Sequence, residues 1–358
     1  MVNVTHAALH ILDTDEGVCT ISDRELDLSV RTRRSYVQRL VRQMSSSPDN
    51  KRGSLSADSA FGSELSRYLS GQRSFLDLSA DIARTIWECL RMSEDARPSD
   101  LIVADFIDTD SRMSTKKDEE SKDEEPSPDD FEDSGHRLFA VAVLGRRRSY
   151  VHELVESSDG RSATSLASID AVLPNPTQKL SIYAVIDCAT MEVELQEADV
   201  LVGGQSMQLM SDVVLGCAVS ASAHEVVNEV ARIAGELADE SGKSAAVMMA
   251  DAKDYMSHSV QQSASITPSE VGEHIFADDP GLAGRFLEQV QTASLPQQVT
   301  MRPSVANRLA KNHRIRTDTG IDITFPSAYA ADAHYIEFSR DQEGGVEITI
   351  HAARIENR

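Results

Sequence analysis

The chain has 358 residues, more than a single hydrophobic core usually supports, so its length predicts two domains. Its 58 Asp and Glu residues outnumber 35 Lys and Arg residues, and the net charge of -23 opposes long-range attraction to DNA phosphates or an anionic membrane. The composition argues against a simple DNA coat, so any nucleic-acid contact must come from a local basic patch.

Cysteine usage and the N-terminal sequence bear on the cellular compartment. Four widely separated cysteines without a CxxC pair argue against a zinc ribbon or a disulfide scaffold and predict reduced, mostly buried thiols: Cys19, Cys89, Cys188 and Cys217. The first residues lack the basic and apolar regions of a signal peptide, and no stretch approaches the roughly 20 apolar residues of a membrane helix. We therefore expect a cytoplasmic protein without a membrane segment.

The N-terminal region predicts a hairpin followed by helices. Residues 4–13 and 17–22 have the composition of short strands, with turn residues between them. From Asp27 the spacing becomes helical, because one arc of the helical wheel collects Val30, Tyr36, Val37, Leu40, Val41 and Met44. Residues 45–62 have loop composition, whereas the apolar spacing over Phe75–Arg91 predicts a second helix.

Two apolar segments in the middle of the chain predict paired strands. They are Leu101–Ile107 and Leu138–Leu144, and the second is apolar enough for a central position in a sheet. Between them, residues 111–135 show no apolar period, and Asp118–Asp133 carries ten acids against one lysine. Such a segment cannot bury enough apolar surface to offset its chain entropy, so we expect a disordered acidic loop.

The remaining pattern completes an α+β fold. A strand is expected at Leu180–Ile186, helices follow over Met207–Leu295, and further strands follow at 313–317, 320–325, 333–338 and 345–351. The predicted architecture is an N-terminal domain, 1–204, with a mixed sheet and packed helices. It is followed by a C-terminal domain, 205–358, that is a helical subdomain to about residue 300 and then a β-rich segment.

No segment carries a recognisable catalytic or metal-binding pattern. Gly242-Lys243-Ser244 resembles the end of a phosphate-binding loop, but Leu237 stands where the required earlier glycine would be. His6 and His10 share a strand face without a Cys or carboxylate partner at ligand spacing. We therefore expect no enzymatic activity, no cofactor and no metal, although a site assembled from distant segments stays open at this point.

Three basic clusters are the positive features of the chain. One lies on the helix after Asp27, one follows the Leu138–Leu144 strand, and one precedes the C-terminal strands. Planar guanidinium groups suit phosphate oxygens, but a single cluster of this kind is also typical of a solvated surface that balances nearby acids. The candidate DNA-binding residues are Arg31, Arg34, Arg39, Arg42, Arg146, Arg147, Arg148, Lys311, Arg314 and Arg316.

An ordered set of short segments runs through most of the chain: His6–Asp13, Pro98–Phe106, Arg137–Leu144, Leu215-Gly216-Cys217 and Gly320–Pro326. In their order and spacing they resemble the nucleoid-associated protein family typified by NdpA (YejK). The resemblance implies a bacterial protein of the nucleoid that contacts DNA, acts as a homodimer and has no known enzyme chemistry.

The arginines and the resemblance together predict binding of double-stranded DNA without strong sequence preference. The acidic segment Asp118–Asp133 would compete with DNA for the arginines. The alternative is an acidic protein-interaction subunit of a larger DNA-directed assembly, such as a phage-defence complex, with a protein partner at the acidic surface. The DNA preference, the dimer interface and the identity of any partner stay open at this point.

Overall fold

The computed structural model describes eleven stretches of the chain: 2–56, 58–109, 135–156, 162–263, 265–300, 312–316, 320–326, 329, 332, 334–340 and 346–352. Contacts divide the chain into unit 1, Met1–Val219, and unit 2, Ser220–Arg358. The first unit thus includes residues 205–219, which the sequence analysis placed in the second domain. The predicted acidic loop, 111–135, lies outside the described residues up to residue 134.

Unit 1 is an α+β assembly that contains, in chain order, β1 (Val2–Asp13), β2 (Val18–Thr20), α1 (Arg31–Ser45), β3 (Lys51–Ser54), α2 (Ala60–Leu69), α3 (Phe75–Leu90), β4 (Ser99–Asp108), β5 (His136–Gly145), β6 (Arg147–Glu156), β7 (Ser162–Val172), β8 (Ile182–Asp187), β9 (Glu192–Gln196), β10 (Asp199–Val202), β11 (Gln205–Gln208), a π-helix (Leu209–Leu215) and β12 (Val219–Ser220). The predicted α+β class is confirmed.

Eight of these strands form one antiparallel sheet, ordered β12-β3-β9-β8-β5-β4-β1-β2. β4 pairs along its whole length with β5, from Ser99 opposite Gly145 to Asp108 opposite His136. Both central strands are buried on both faces, which explains their nearly continuous apolar sequences. The sheet is antiparallel throughout the registers described, where the sequence analysis predicted a mixed sheet.

Helices cover both faces of the sheet, so unit 1 has two apolar cores. α1 packs on one face with Val37, Leu40, Val41 and Met44 buried against residues such as Phe106 of β4. The opposite face is covered by α2, α3 and the π-helix. The two-sided packing places the outward face of α1 in solvent on one side of the sheet.

β6 and β7 form a separate two-stranded antiparallel ribbon that leaves the sheet after β5. Its pairing runs from Arg147 opposite Val172 to Glu156 opposite Ser162, with one bulge between Arg147 and Ser149. The sequence analysis did not predict this ribbon, nor β3, α2 and β9. β3 and β9 have only four and five residues, too few to show a reliable period. α2 did carry a signal, because Phe61, Leu65 and Tyr68 recur at helical spacing and are buried.

Unit 2 contains α4 (Ala223–Glu240), α5 (Ala245–Ser263), β13 (Ser265–Ile266), α6 (Pro268–Ile275), α7 (Pro280–Thr292), β14 (Val299–Thr300) and two hairpins, β15 (Asn312–Arg316) with β16 (Asp322–Pro326) and β17 (Ile336–Arg340) with β18 (Val346–Ile350). A capping box between Ser222 and Glu225 starts α4. The helices enclose one core, and Phe325 and Ile336 of the hairpins pack with Ala250 of α5.

Candidate nucleic-acid interface

The outward face of α1 carries a stripe of positive charge. The helix contains five arginines and no acidic residue, within a chain of net charge -23. At about 100° per residue, Arg31, Arg39 and Arg42 fall within one arc of the helix, and all three are exposed. Within the described ranges none of these three side chains forms an ion pair or a side-chain hydrogen bond. We call these three residues the arginine stripe.

Contacts with a loop hold the arginine stripe beside the base of the ribbon. The Tyr36 hydroxyl donates to the carbonyl oxygen of Pro174 at 2.9 Å, and Gln43 Nε2 donates to that of Gln178 at 2.6 Å. Both acceptors lie in the loop that follows β7. Burial raises the pKa of Tyr36 to about 12, with a smaller contribution from the negative charge of Asp100. Two hydrogen bonds thus join α1 to this loop.

Arg34 differs from the stripe, although the sequence analysis grouped it there. Its Nη1 donates to the carbonyl oxygen of Leu28 at 2.9 Å and to that of Ser29 at 3.5 Å, and the side chain is half-buried. These bonds hold the loop that enters α1. Arg34 is thus engaged with the backbone, and its guanidinium is less available to an external phosphate than those of the stripe.

Arg146 is buried in a double ion pair. Its Nη1 lies 2.6 Å from Asp13 Oδ2, and its Nε and Nη2 each lie 3.3 Å from a carboxylate oxygen of Asp100. Only 11% of the side chain is exposed. Burial raises the pKa of Asp100, whereas the neighbouring Arg146 lowers it. The geometry gives Arg146 a structural task, joining the ends of β1 and β4 to the chain between β5 and β6.

The two following arginines, at the base of the ribbon, are exposed. Arg147 has no ionic partner among the residues that the structure describes. Arg148 pairs with Asp170 of β7, and each side chain is more than three-fifths exposed. An exposed pair of this kind is weak and is screened by salt. The consecutive arginines 146–148 therefore divide into one buried residue and two that face solvent.

The third basic cluster is only partly described. Lys311 lies outside the described residues, and for Arg314 and Arg316 the structure defines the backbone of β15, where they pair with Thr324 and Asp322 of β16. These residues belong to unit 2, whereas the other two clusters belong to unit 1. The prediction that they contact DNA stays a prediction.

A buried polar cluster in unit 1 was missed by the sequence analysis. Asp105 is fully buried in β4, accepts a hydrogen bond from Tyr68 at 2.5 Å and is bound by Arg137 Nη2 at 2.6 Å. The Arg137 guanidinium also lies over the Tyr68 ring, 5.4 Å from its centroid. An acid inside a continuously apolar strand was the available signal, since a buried carboxylate needs a partner. The cluster is fully paired and acts as a structural tie.

The cysteines and the possible metal ligands of the described residues were compared with what thiol or metal sites require. All four cysteines are free thiols, and burial raises the pKa of each, to about 12 for Cys188 and about 11 for Cys217. Within the same residues no group of three or more His, Cys, Asp or Glu side chains could hold a metal ion. No helix in the described ranges is long and apolar enough to cross a membrane.

Comparison with protein families places the chain in one family. The model of a family described as nucleoid-associated protein YejK matches residues 8–351, nearly the whole length. The chain belongs to this family. No curated protein matches the chain. The predicted family is therefore confirmed, and the match extends through both units.

Three of the five segments that carried the resemblance come together in the sheet of unit 1. His6–Asp13 lies in β1, Pro98–Phe106 includes most of β4, and Arg137–Leu144 lies in β5. These strands are consecutive neighbours in the sheet. These three segments thus form the buried centre of unit 1, whereas the arginine stripe lies on a helix that covers it.

Proposed function

We propose that this nucleoid-associated protein binds duplex DNA without strong sequence preference, as a non-enzymatic protein, through phosphate contacts made by the arginine stripe and Arg147. The observation that carries the proposal is the set of exposed arginines on α1 without acidic partners, on the surface of a strongly acidic chain. The chain has 58 Asp and Glu residues, yet the three guanidinium groups of the arginine stripe have no acidic partner among the described residues, so they are available to an external anion. Membership of a nucleoid-associated family supports the same conclusion.

The length of the stripe fits a duplex backbone. Arg31 and Arg42 lie about 16 Å apart along the axis of α1, because each helical residue rises about 1.5 Å. That distance corresponds to about five base-pair steps of roughly 3.4 Å. Phosphate contacts position a protein on DNA but carry no sequence information, which supports binding without strong sequence preference.

The net negative charge of the chain makes DNA binding depend on the salt concentration. Charges on an exposed surface are screened beyond about 8 Å at physiological ionic strength, so the stripe acts locally while the distant acids contribute little. At low salt the total charge repels DNA over longer distances. The ribbon adds the exposed Arg147, whereas Arg148 is paired with Asp170.

Fluorescence anisotropy of a labelled duplex, over a series of salt concentrations, tests the proposal. Replacing Arg31, Arg39 and Arg42 together by Gln should weaken binding and make the slope of log affinity against log salt shallower by about 2 to 3, at roughly 0.9 per phosphate contact. Equal affinity and slope in the variant and the natural chain would reject the stripe as the DNA contact.

The chain offers a matched control for this variant. Arg67 of α2, Arg84 of α3 and Arg91, which directly follows α3, are also exposed, but each pairs with an acid three residues before it. Replacing these three by Gln makes the same change in net charge away from α1. We expect this control to bind DNA as the natural chain does, so a shared loss would indicate a general charge effect.

The alternative function is an acidic protein-interaction subunit of a DNA-directed assembly, for example in phage defence. Its support is the net charge of -23, which favours a basic protein partner. Absence of DNA binding at low and at physiological salt would favour this alternative. A partner at the acidic surface would then be sought by its own salt-sensitive association.

A further inference from the structure

Two tyrosines at the surface of unit 2 stack on each other. The ring centroids of Tyr329 and Tyr335 lie 4.1 Å apart, and the two ring planes differ by only 8°. Tyr329 is 38% exposed and Tyr335 is 44% exposed, so the stack is open to solvent on part of its surface. We call these two residues the tyrosine pair. Its exposed aromatic surface is available to the flat face of a ligand.

A short turn holds the tyrosine pair in this arrangement. The backbone N–H of Asp332 donates to the carbonyl oxygen of Tyr329 at 3.3 Å, and the N–H of Tyr335 donates to the carbonyl oxygen of Asp332 at 2.9 Å. The N–H of His351, the residue after β18, donates to the carbonyl oxygen of Tyr335 at 2.9 Å. These bonds bring together two rings that lie six residues apart, so a ligand meets a pair that is already formed.

Two acids lie close to the tyrosine pair in the chain, Asp332 and Glu337. Asp332 Oδ1 accepts a hydrogen bond from the backbone N–H of His334 at 3.0 Å and lies 3.0 Å from Nδ1 of the same residue. Asp332 is thus engaged within the turn, whereas Glu337 is exposed and repels anions near it. An anionic ligand must therefore place an uncharged group against the tyrosine pair and its charge elsewhere.

A strand with two arginines lies in the same part of unit 2. Phe325 of β16 packs in one apolar cluster with Ile336, the residue that follows Tyr335. β16 pairs in turn with β15, the strand that contains Arg314 and Arg316. Guanidinium groups suit the phosphates of a nucleic acid. The fold thus brings aromatic rings and a source of positive charge into one region.

We infer that the tyrosine pair stacks on an unpaired base of a single-stranded nucleic acid. Proteins that bind single strands combine cations for the phosphates with aromatic rings for the bases, and every base has a flat face that can stack. A base inside a duplex is stacked between its neighbours and offers this face to no external ring, so the ligand is an unpaired base. A proline-rich peptide also contacts aromatic rings, but it makes no use of the neighbouring arginines.

This site differs from the proposed duplex contact in place and in chemistry. The tyrosine pair belongs to unit 2, whereas the arginine stripe belongs to unit 1. Stacking on a base does not require that the stripe binds phosphates. A variant without the two rings should therefore bind duplex DNA as the natural chain does, and failure of one site is distinguishable from failure of the other.

Fluorescence of 2-aminopurine within an oligothymidylate of about ten nucleotides tests the site, because this base analogue loses fluorescence when it stacks. The full natural chain should quench the probe. Replacing Tyr329 and Tyr335 together by Leu should weaken binding at least about fivefold, since one stacked base contributes about 5- to 150-fold in affinity. Replacing both by Phe keeps the rings, so the affinity should stay within about twofold. Tyr150→Leu, which changes an exposed tyrosine of unit 1, should bind as the natural chain does.

An abasic strand of the same length supplies a readout on the natural chain that needs no substitution. It keeps every phosphate but has no base, so it should bind as weakly as the thymidine strand binds to the leucine variant. A strand of ribonucleotides with the same bases distinguishes RNA from DNA as the source of the unpaired base.

Three results would each overturn the proposal. They are equal affinity of the natural chain for the abasic and the base-containing strands, equal affinity of the leucine variant and the natural chain for the base-containing strand, and an unquenched probe. Binding of a decaproline peptide that is lost in the leucine variant, without binding of the oligonucleotide, would also overturn it and assign the tyrosine pair to protein recognition.

Discussion

Arg146 Nη1 lies 2.6 Å from Asp13 Oδ2, although 132 residues separate the two in the sequence. The same guanidinium binds Asp100, so one arginine compensates two carboxylates at the edge where β1, β4 and β5 end. Removing one partner of a buried ion pair leaves the other charges uncompensated, which costs more than the pair contributed. Arg146 is therefore a stability residue next to the candidate interface.

Arg146→Met should lower the free energy of unfolding by about 3 kcal/mol at neutral pH, because Asp13 and Asp100 lose their shared cation. Urea denaturation measures this change. Arg148→Met is the control: its pair with Asp170 is exposed and screened by solvent, so the loss should be much smaller than that of Arg146→Met. If Arg146→Met kept its stability and lost DNA binding, Arg146 would instead belong to the DNA contact.

His10 supplies a pH-dependent term of the stability of unit 1. The side chain is fully buried in β1, its Nδ1 accepts a hydrogen bond from the backbone N–H of Ser22 at 3.1 Å, and its Nε2 has no partner in the described structure. Burial, with a smaller effect of Arg84, lowers the pKa of His10 from 6.5 to about 4. The folded chain therefore resists protonation of this imidazole.

The pKa of His10 is lower in the folded chain than in the unfolded chain. The folded chain is therefore favoured at pH values above the unfolded pKa, and this contribution to stability is lost as the pH falls towards the folded pKa. Between about pH 6.5 and 4 the loss from His10 should reach about 3 kcal/mol, since one pKa unit corresponds to about 1.4 kcal/mol. His10→Asn keeps an acceptor for Ser22 but does not titrate, so its unfolding free energy should fall less over this range. Parallel pH profiles for the two proteins, measured by denaturant unfolding, would contradict the assignment.

The sequence predicted the central strands because strands buried on both faces have nearly continuous apolar sequences. β4 and β5 are apolar on both faces, and α1 shows the expected separation of apolar residues from Arg31, Arg39 and Arg42. The β6–β7 ribbon escaped prediction, since an exposed ribbon has no buried face and so no apolar period that distinguishes it from a loop.

The candidate site was less predictable than the fold. Three consecutive arginines, 146 to 148, look equivalent in sequence, yet only the fold separates Arg146 from its exposed neighbours. Its partners Asp13 and Asp100 are distant in the chain and are brought together by strand pairing. For the same reason the pairing of Asp105 with Tyr68 and Arg137 could not be predicted from spacing.

The acidic segment Asp118–Asp133 carries ten acids and one lysine, and it lies outside the described residues. We predict that it competes with DNA for the arginines of unit 1. Deleting it should therefore strengthen DNA binding at low salt, and the gain should shrink as salt screens both interactions. Anisotropy titrations at several salt concentrations measure the effect.

A control for this deletion keeps the length of the segment and replaces its acids by Ser and Gly. If charge competition is the cause, this variant should bind DNA as tightly as the deletion, because both remove the same negative charge. Tighter binding in the deletion alone would indicate that the segment obstructs DNA by its bulk. Unchanged affinity in both variants would reject competition, and the arginine stripe would then bind DNA independently of the segment.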